Sequence, residues 1–320
     1  MRKKTKIMLL TATALLLLGG ALFTAALAAA GGDFSKLSTV KYETATHEVS
    51  EPFTNISIAA DTADILFVQT ESDTAKVECY EQEKLTHAVS VADGTLLIEV
   101  NDTRAWYEHI GINFKTSRIT VFLPKGTYGA LTVKADTSDV VIPKEISLET
   151  VDVTVSTGDV ACAASPAASL KIKTSTGDIE VSEIITGTID LTVSTGEIKI
   201  KGVTCTGAVT VGVSTGDVEI EDLSCGNFTS TGSTGDLSME RVIVKEKLVV
   251  KRSTGDVELD GCDAAELVIE TTTGEVEGTL LSGKMFAVDS DTGRKDVPES
   301  TAGGRCEITT DTGNIKIRIQ

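Results

Sequence analysis

The chain has 320 residues, 41% of them hydrophobic but only 4% aromatic, and a formal net charge of −18. That is enough material for one or two domains with a real core. The acidic balance excludes a nucleic-acid surface, which needs cations to meet phosphate, and favours cations or cationic partners instead.

The chain opens with Arg2, Lys3, Lys4 and Lys6, then runs from Ile7 to Ala30 without a charge. A helix of that length, rising ~1.5 Å per residue, spans a ~30 Å hydrocarbon core. The basic flank stays inside, which puts the body outside the cytoplasm. Small residues close the run (Ala26-Leu27-Ala28, Ala29, Ala30), so a cleaved signal peptide competes with an uncleaved anchor. The run exceeds an ordinary signal h-region, which favours the anchor.

Residues 33–126 are irregular. FTNISIAADTADILFV reads as one coil with Ile56, Ile58, Ile65 and Phe67 turned inward. GTLLIEV and RITVFLPKG read as further strands. Between them NDTRAWYEHIGINFKTS carries Trp106, Tyr107 and Phe114, an exposed-loop candidate for partner contact. These coils are expected to cap the more regular part of the chain, because a bare strand edge invites association.

From residue 127 the chain repeats. Aligned on the glycine of STGD, copies fall at Gly158, Gly177, Gly196, Gly216, Gly235, Gly255, Gly274, Gly293 and Gly313, always 19 or 20 apart. Ser138 and Ala63 occupy the same position in earlier, degenerate copies. Apolar residues alternate on both sides, as in Val209, Val211, Val213, then Val218 and Ile220. Period two means strands with one buried face. The repeat is too short for a propeller blade or a βαβ unit, and it lacks the leucine-rich pattern.

The reading is therefore all-β: a parallel β-solenoid of about ten 19–20-residue coils, preceded by a transmembrane or signal segment. The parts are an anchor over 1–32, capping coils over 33–126 and the solenoid over 127–320. The glycine suits a bend with φ > 0, and the Ser-Thr pair before it is expected to bond the turn backbone. Lys316 and Arg318 alternate with isoleucines in the final strand and are expected to guard its edge.

The position after the glycine is acidic: Asp159, Asp178, Glu197, Asp217, Asp236, Asp256 and Glu275, then Arg294 and Asn314. Stacked at ~4.8 Å, neighbouring charges repel by about 1 kcal/mol in water. Such a strip attracts cations or cationic peptides. One column does not supply the six to eight converging oxygens calcium needs, so no metal site is assigned.

Catalytic patterns are missing. There is no phosphate loop and no dinucleotide fingerprint, so no catalytic residue and no cofactor are assigned. His47, His87 and His109 show no metal-ligand spacing. LPKGT at residues 123–127 has Gly and Thr reversed relative to a sortase signal, and no hydrophobic tail comes after it. Cys162, Cys262 and Cys306 fall inward as buried thiols. Cys205 and Cys225 lie nine residues after their glycines on adjacent coils, close enough for a candidate disulfide. Cys79 has no evident partner.

The basic start, the hydrophobic segment, the ITVFLP-type strand with Leu123 and Pro124, and the serial STGDV/STGEI coils resemble the bacterial "putative adhesin" family, a domain of unknown function. The resemblance covers about Phe53 to the C-terminus. It implies a β-solenoid of the cell envelope, mainly in Gram-positive bacteria, with some members near envelope-stress regulators. The family offers no established catalytic residues to carry over. The expected function is a non-enzymatic, extracytoplasmic adhesin-like binding or scaffold protein, held to the membrane by its N-terminal helix. Its partner would be a cell-wall polymer, a surface protein or a cationic peptide. The alternatives are an envelope-stress component binding cations or cationic antimicrobial peptides through the acidic ladder and, last, a carbohydrate-active β-helix enzyme.

Overall fold

The computed structural model describes residues 3–32, 41–106, 115–299 and 302–320. Among the described residues one helix forms, Lys3–Ala29, exposed along nearly all its length and long and apolar enough to cross a membrane. The described residues after it are mostly strand, bend and corner, wound in the main as a parallel β-solenoid of about nine turns.

Each regular coil has the same parts. A strand such as Ala208–Thr215 leads into the glycine bend, and Val218–Cys225 leaves it. The second strand turns a corner partway along. Glu183, Gly202, Asp222, Arg241 and Gly261 stand in one column there, all left-handed with φ between 54° and 65°. Stacking is in register: Val209 pairs with Ile189 below and Phe228 above, and Val218 with Ile198 and Leu237. The alternating valines and isoleucines therefore form continuous inner columns, and Val153, Leu191, Val211 and Val250 are fully buried.

The glycine bend is required twice over. Gly216 sits at φ 135°, a conformation L side chains rarely adopt, and a Cβ there would collide with the carbonyl of Gly196 one coil below. Gly177, Gly196, Gly235 and Gly255 repeat the contact. The hydroxyls that bond this bend are not those of the Ser-Thr pair, which faces solvent. They lie three residues before the glycine, on the inner column. Thr174 Oγ1 donates to Gly158 O at 3.3 Å, Thr310 Oγ1 to Gly274 O at 3.2 Å and Ser290 Oγ to Gly313 O at 2.9 Å. An inward hydroxyl is shielded from water and can serve a buried carbonyl; an outward one is hydrated.

At both ends the spatial order departs from the chain order. At the C-terminal end, the first part of Val257–Thr273 pairs with the next coil, Val257 with Val276, but its second part, from Glu266, pairs with Gly304–Thr312, through Leu267 with Cys306 and Ile269 with Ile308. Lys284–Thr292 stacks outside that, Phe286 against Cys306 and Val288 against Ile308. The last strand in sequence, Ile315–Ile319, is thus an edge only in part. It pairs along its length with Val276–Leu280, and its first two residues, Ile315 and Lys316, are also covered by the short Lys295–Asp296. Arg318 stands where no outer strand covers it among the described residues, and it binds the Asp296 carboxylate of the terminal coil.

The N-terminal end mirrors this arrangement. Asn55–Ala60 and Ala63–Thr70 sit between the 127–142 coil and an outer pair, Thr95–Asp102 and Ser117–Pro124. Ile56, Ile58, Ile65 and Phe67 are buried there, each 1% exposed. Antiparallel strands close the outside. Ala75–Gln82 pairs with Ser117–Pro124, Tyr42–Val49 with Ala75–Gln82, and Leu85–Ala92 with Thr95–Asp102.

Candidate functional site

The acids next to the glycines stand in one column, and the structure gives them an architectural task. Oδ1 of Asp139 accepts the backbone N–H of Asp159 at 2.9 Å, Asp159 that of Asp178 at 2.8 Å, and Asp178 that of Glu197 at 2.7 Å. Asp217 serves Asp236, Asp236 serves Asp256, and Asp256 serves Glu275, at 2.7 to 2.8 Å. Each carboxylate caps the amide one coil further on, offsetting repulsion along the column with a charge-assisted hydrogen bond. Glutamate is one methylene longer and does something else: Glu197 binds Lys199 at 2.9 Å, and Glu275 accepts from Asn314 Nδ2 at 2.7 Å.

Substitutions at Asp178 separate the cap from the charge. Asp178→Asn keeps an oxygen acceptor for the Glu197 amide and is expected to leave the urea midpoint nearly unchanged. Asp178→Ala removes the acceptor and is expected to cost about 1 kcal/mol. Equal destabilisation by both would show that charge, not the hydrogen bond, is what matters.

A concavity lies on the outer face of the strands that enter the bends. It is an open groove of about 720 Å³, lined by Thr192, Thr210, Thr231 and Thr309, with Gly212 leaving a flat gap. Lys251 and Glu270 pair across it at 2.8 Å. Beneath lies Arg252, only 4% exposed, in an inward column otherwise filled by Val193, Val213 and Thr271. Its guanidinium occupies the space that a side chain on Gly232 would take, and Nη2 donates to Ser230 Oγ at 3.0 Å. Burial pushes its pKa down, against the pull of Asp217 and Asp236. The sequence carries a signal for this pair that an alignment on the STGD glycines passes over: STGSTGD has an extra glycine, and an arginine stands at an inward position one coil later.

All six cysteines are buried free thiols. Cys205 and Cys225 come directly after an in-register pair, Thr204 and Ser224, on neighbouring coils. Cys205 Sγ donates to Gly187 O at 3.2 Å. Burial pushes Cys162, Cys225 and Cys306 up to about 12 and Cys262 to about 11, so these thiols are poor nucleophiles.

The expected contact loop is only partly described. Trp106 is 79% exposed. Tyr107, His109 and Phe114 lie outside the described residues.

One cluster has no counterpart among the sequence motifs. Cys79, Glu81 and His87 are all buried, and their ligand atoms lie within 4.8 Å of one another. Glu81 Oε2 accepts the backbone N–H of His87 at 2.7 Å and meets its Nδ1 at 2.8 Å. Burial, then the charge of Glu81, pushes the Cys79 thiol up to about 12.

Coils of this period, stacked in register with a glycine bend and an inter-coil acid cap, define a repeat protein of the β-solenoid class. The chain belongs to the Toastrack DUF4097 family, which matches residues 53–212 and 206–320. Among solved structures it is similar to one named a putative adhesin from Bacteroides fragilis, at 16% identity and TM-score 0.44, covering 87% of this chain and 97% of that one. A second, named a putative adhesin from Parabacteroides merdae, is 15% identical at TM-score 0.49, covering 74% and 96%. A third, named a putative lipid binding protein from Parabacteroides distasonis, is 13% identical at TM-score 0.43, covering 86% and 97%. Among curated proteins none matches.

Proposed function

We propose that the chain is a non-enzymatic, extracytoplasmic binding or scaffold protein of the bacterial envelope, held to the membrane by the helix Lys3–Ala29, and that it engages an extended wall polymer. The observation that supports this reading is the hydroxyl-lined groove. It is open and shallow, it runs across successive coils, and it offers threonine hydroxyls with one ion pair rather than converging catalytic groups. Such a surface suits a long polar chain that lies across several coils and gains from many small contacts.

The test is binding of purified wall fragments to the full chain in detergent. Gly212→Lys has room, since an added Cβ meets its nearest neighbour at 3.8 Å. It is expected to fill the groove and weaken binding at least about tenfold, or ~1.4 kcal/mol. Unchanged affinity in this variant would remove the groove from the proposal.

The acid column favours a second reading, capture of cationic peptides. One carboxylate oxygen of each aspartate serves a backbone amide, and the other is left to face solvent. Replacing Asp178, Asp217 and Asp256 by asparagine removes charge while keeping the caps. That variant should lose salt-sensitive peptide binding without losing stability. Salt-independent binding would sink this reading.

A further inference from the structure

We propose that Cys79, Glu81 and His87 form a binding site for one divalent metal ion of the zinc class. The three residues come from a hairpin. Cys79 and Glu81 lie two apart on Ala75–Gln82 and so face the same side. His87 lies beyond the exposed turn Glu83-Lys84, on Leu85–Ala92. The two strands pair only at Gln82 with Leu85; beyond that, Leu85–Ala92 leaves to pair with Thr95–Asp102. The cluster thus sits in the fork where two strand layers separate, and three side chains converge there without a ladder between them.

The chemistry of the set points to a borderline-soft cation. Thiolate, imidazole and carboxylate are the ligands zinc takes, whereas calcium and magnesium take oxygen alone. The charges also balance. A thiolate and a carboxylate carry two negative charges, the neutral imidazole none, and a divalent ion cancels them in a site where Cys79, Glu81 and His87 are 0%, 3% and 4% exposed. Binding releases the thiol proton to solvent and leaves a sulfur–metal bond in its place. His87 Nε2 is buried and meets no hydrogen-bond partner among the described residues, so the ring has donor capacity that packing does not use. Three protein ligands leave a fourth position for water, and the exposed turn beside the cluster gives an entry path. Once bound, the ion would hold the two layers together at the fork.

The experiment uses the full chain in detergent, stripped with chelator and dialysed against Zn²⁺ or Co²⁺ at micromolar concentration. The expected result is one ion per chain, retained against excess Ca²⁺ and Mg²⁺. The Co²⁺ form should show a near-ultraviolet thiolate-to-metal charge-transfer band. Cys79→Ser and His87→Gln should each weaken uptake at least about tenfold, with folding checked by circular dichroism. Uptake of less than a stoichiometric ion, or uptake indifferent to Cys79→Ser, would overturn the proposal. Where a variant does not fold, the unmodified chain decides. A Co²⁺ spectrum without the thiolate band means oxygen-only binding, as at the acid column, and rejects the site.

Discussion

Alanine at position 216 is expected to destabilise the protein by ~3 kcal/mol or more, a large effect for a single added methyl. Two costs add. The backbone at Gly216 sits at φ 135°, which alanine adopts only with strain, and the new Cβ would meet the Gly196 carbonyl. That carbonyl cannot retreat, because Gly196 is itself stacked on Gly177. Gly212, four residues away, is the control. Its Cβ would find open space, with Thr192 and Thr231 hydroxyls at 3.8 Å, and Gly212→Ala is expected to stay within about 1 kcal/mol of the parent. Urea unfolding of the two variants side by side checks this. Equal midpoints would mean that the bend column tolerates side chains and that the glycine repeat has another cause.

The second large effect concerns the C-terminal end. A chain cut after Val297 loses Gly304–Thr312 and Ile315–Ile319, the strands that carry Lys284–Thr292 and Lys295–Asp296. Hydrogen exchange should show amides 284–292 losing roughly a hundredfold or more in protection, while amides 208–225, several coils away, keep theirs. Under simple chain-order stacking, Lys284–Thr292 would rest on Val257–Thr273 and keep its protection after the cut. Retained protection would therefore refute the observed order.

Coil length, inward columns and the bend glycine are legible in the sequence because they repeat, and a register of 19 or 20 residues is fixed by every valine at once. The purpose of the acid is not, since a side chain that caps the amide of the next coil looks the same in sequence as one that faces water. Glu197 and Glu275 hint at it only in retrospect, because the longer side chain makes a different bond. The exchange of coils at the C-terminal end does leave a trace. Asn314 keeps an oxygen that accepts the Arg294 amide, and Arg294, on the outermost coil, has no further amide to cap and need not be acidic. That trace reads as decay of the motif until the stacking order is known. The Cys79, Glu81 and His87 cluster has no repeat to reveal it. Its assembly depends on one strand leaving its hairpin partner, which no local spacing encodes.

The partly covered C-terminal strand also bears on how the molecule responds to pulling. In a rod whose last strand is its edge, tension on the C-terminus peels one ladder bond at a time. Here Ile315–Ile319 pairs along its length with Val276–Leu280, Ile315 and Lys316 also pair with Lys295–Asp296, and Arg318 ties the strand to Asp296. A load on this strand is therefore met first by one ladder and the Arg318–Asp296 pair, and from Lys316 inward it is shared between two neighbouring strands.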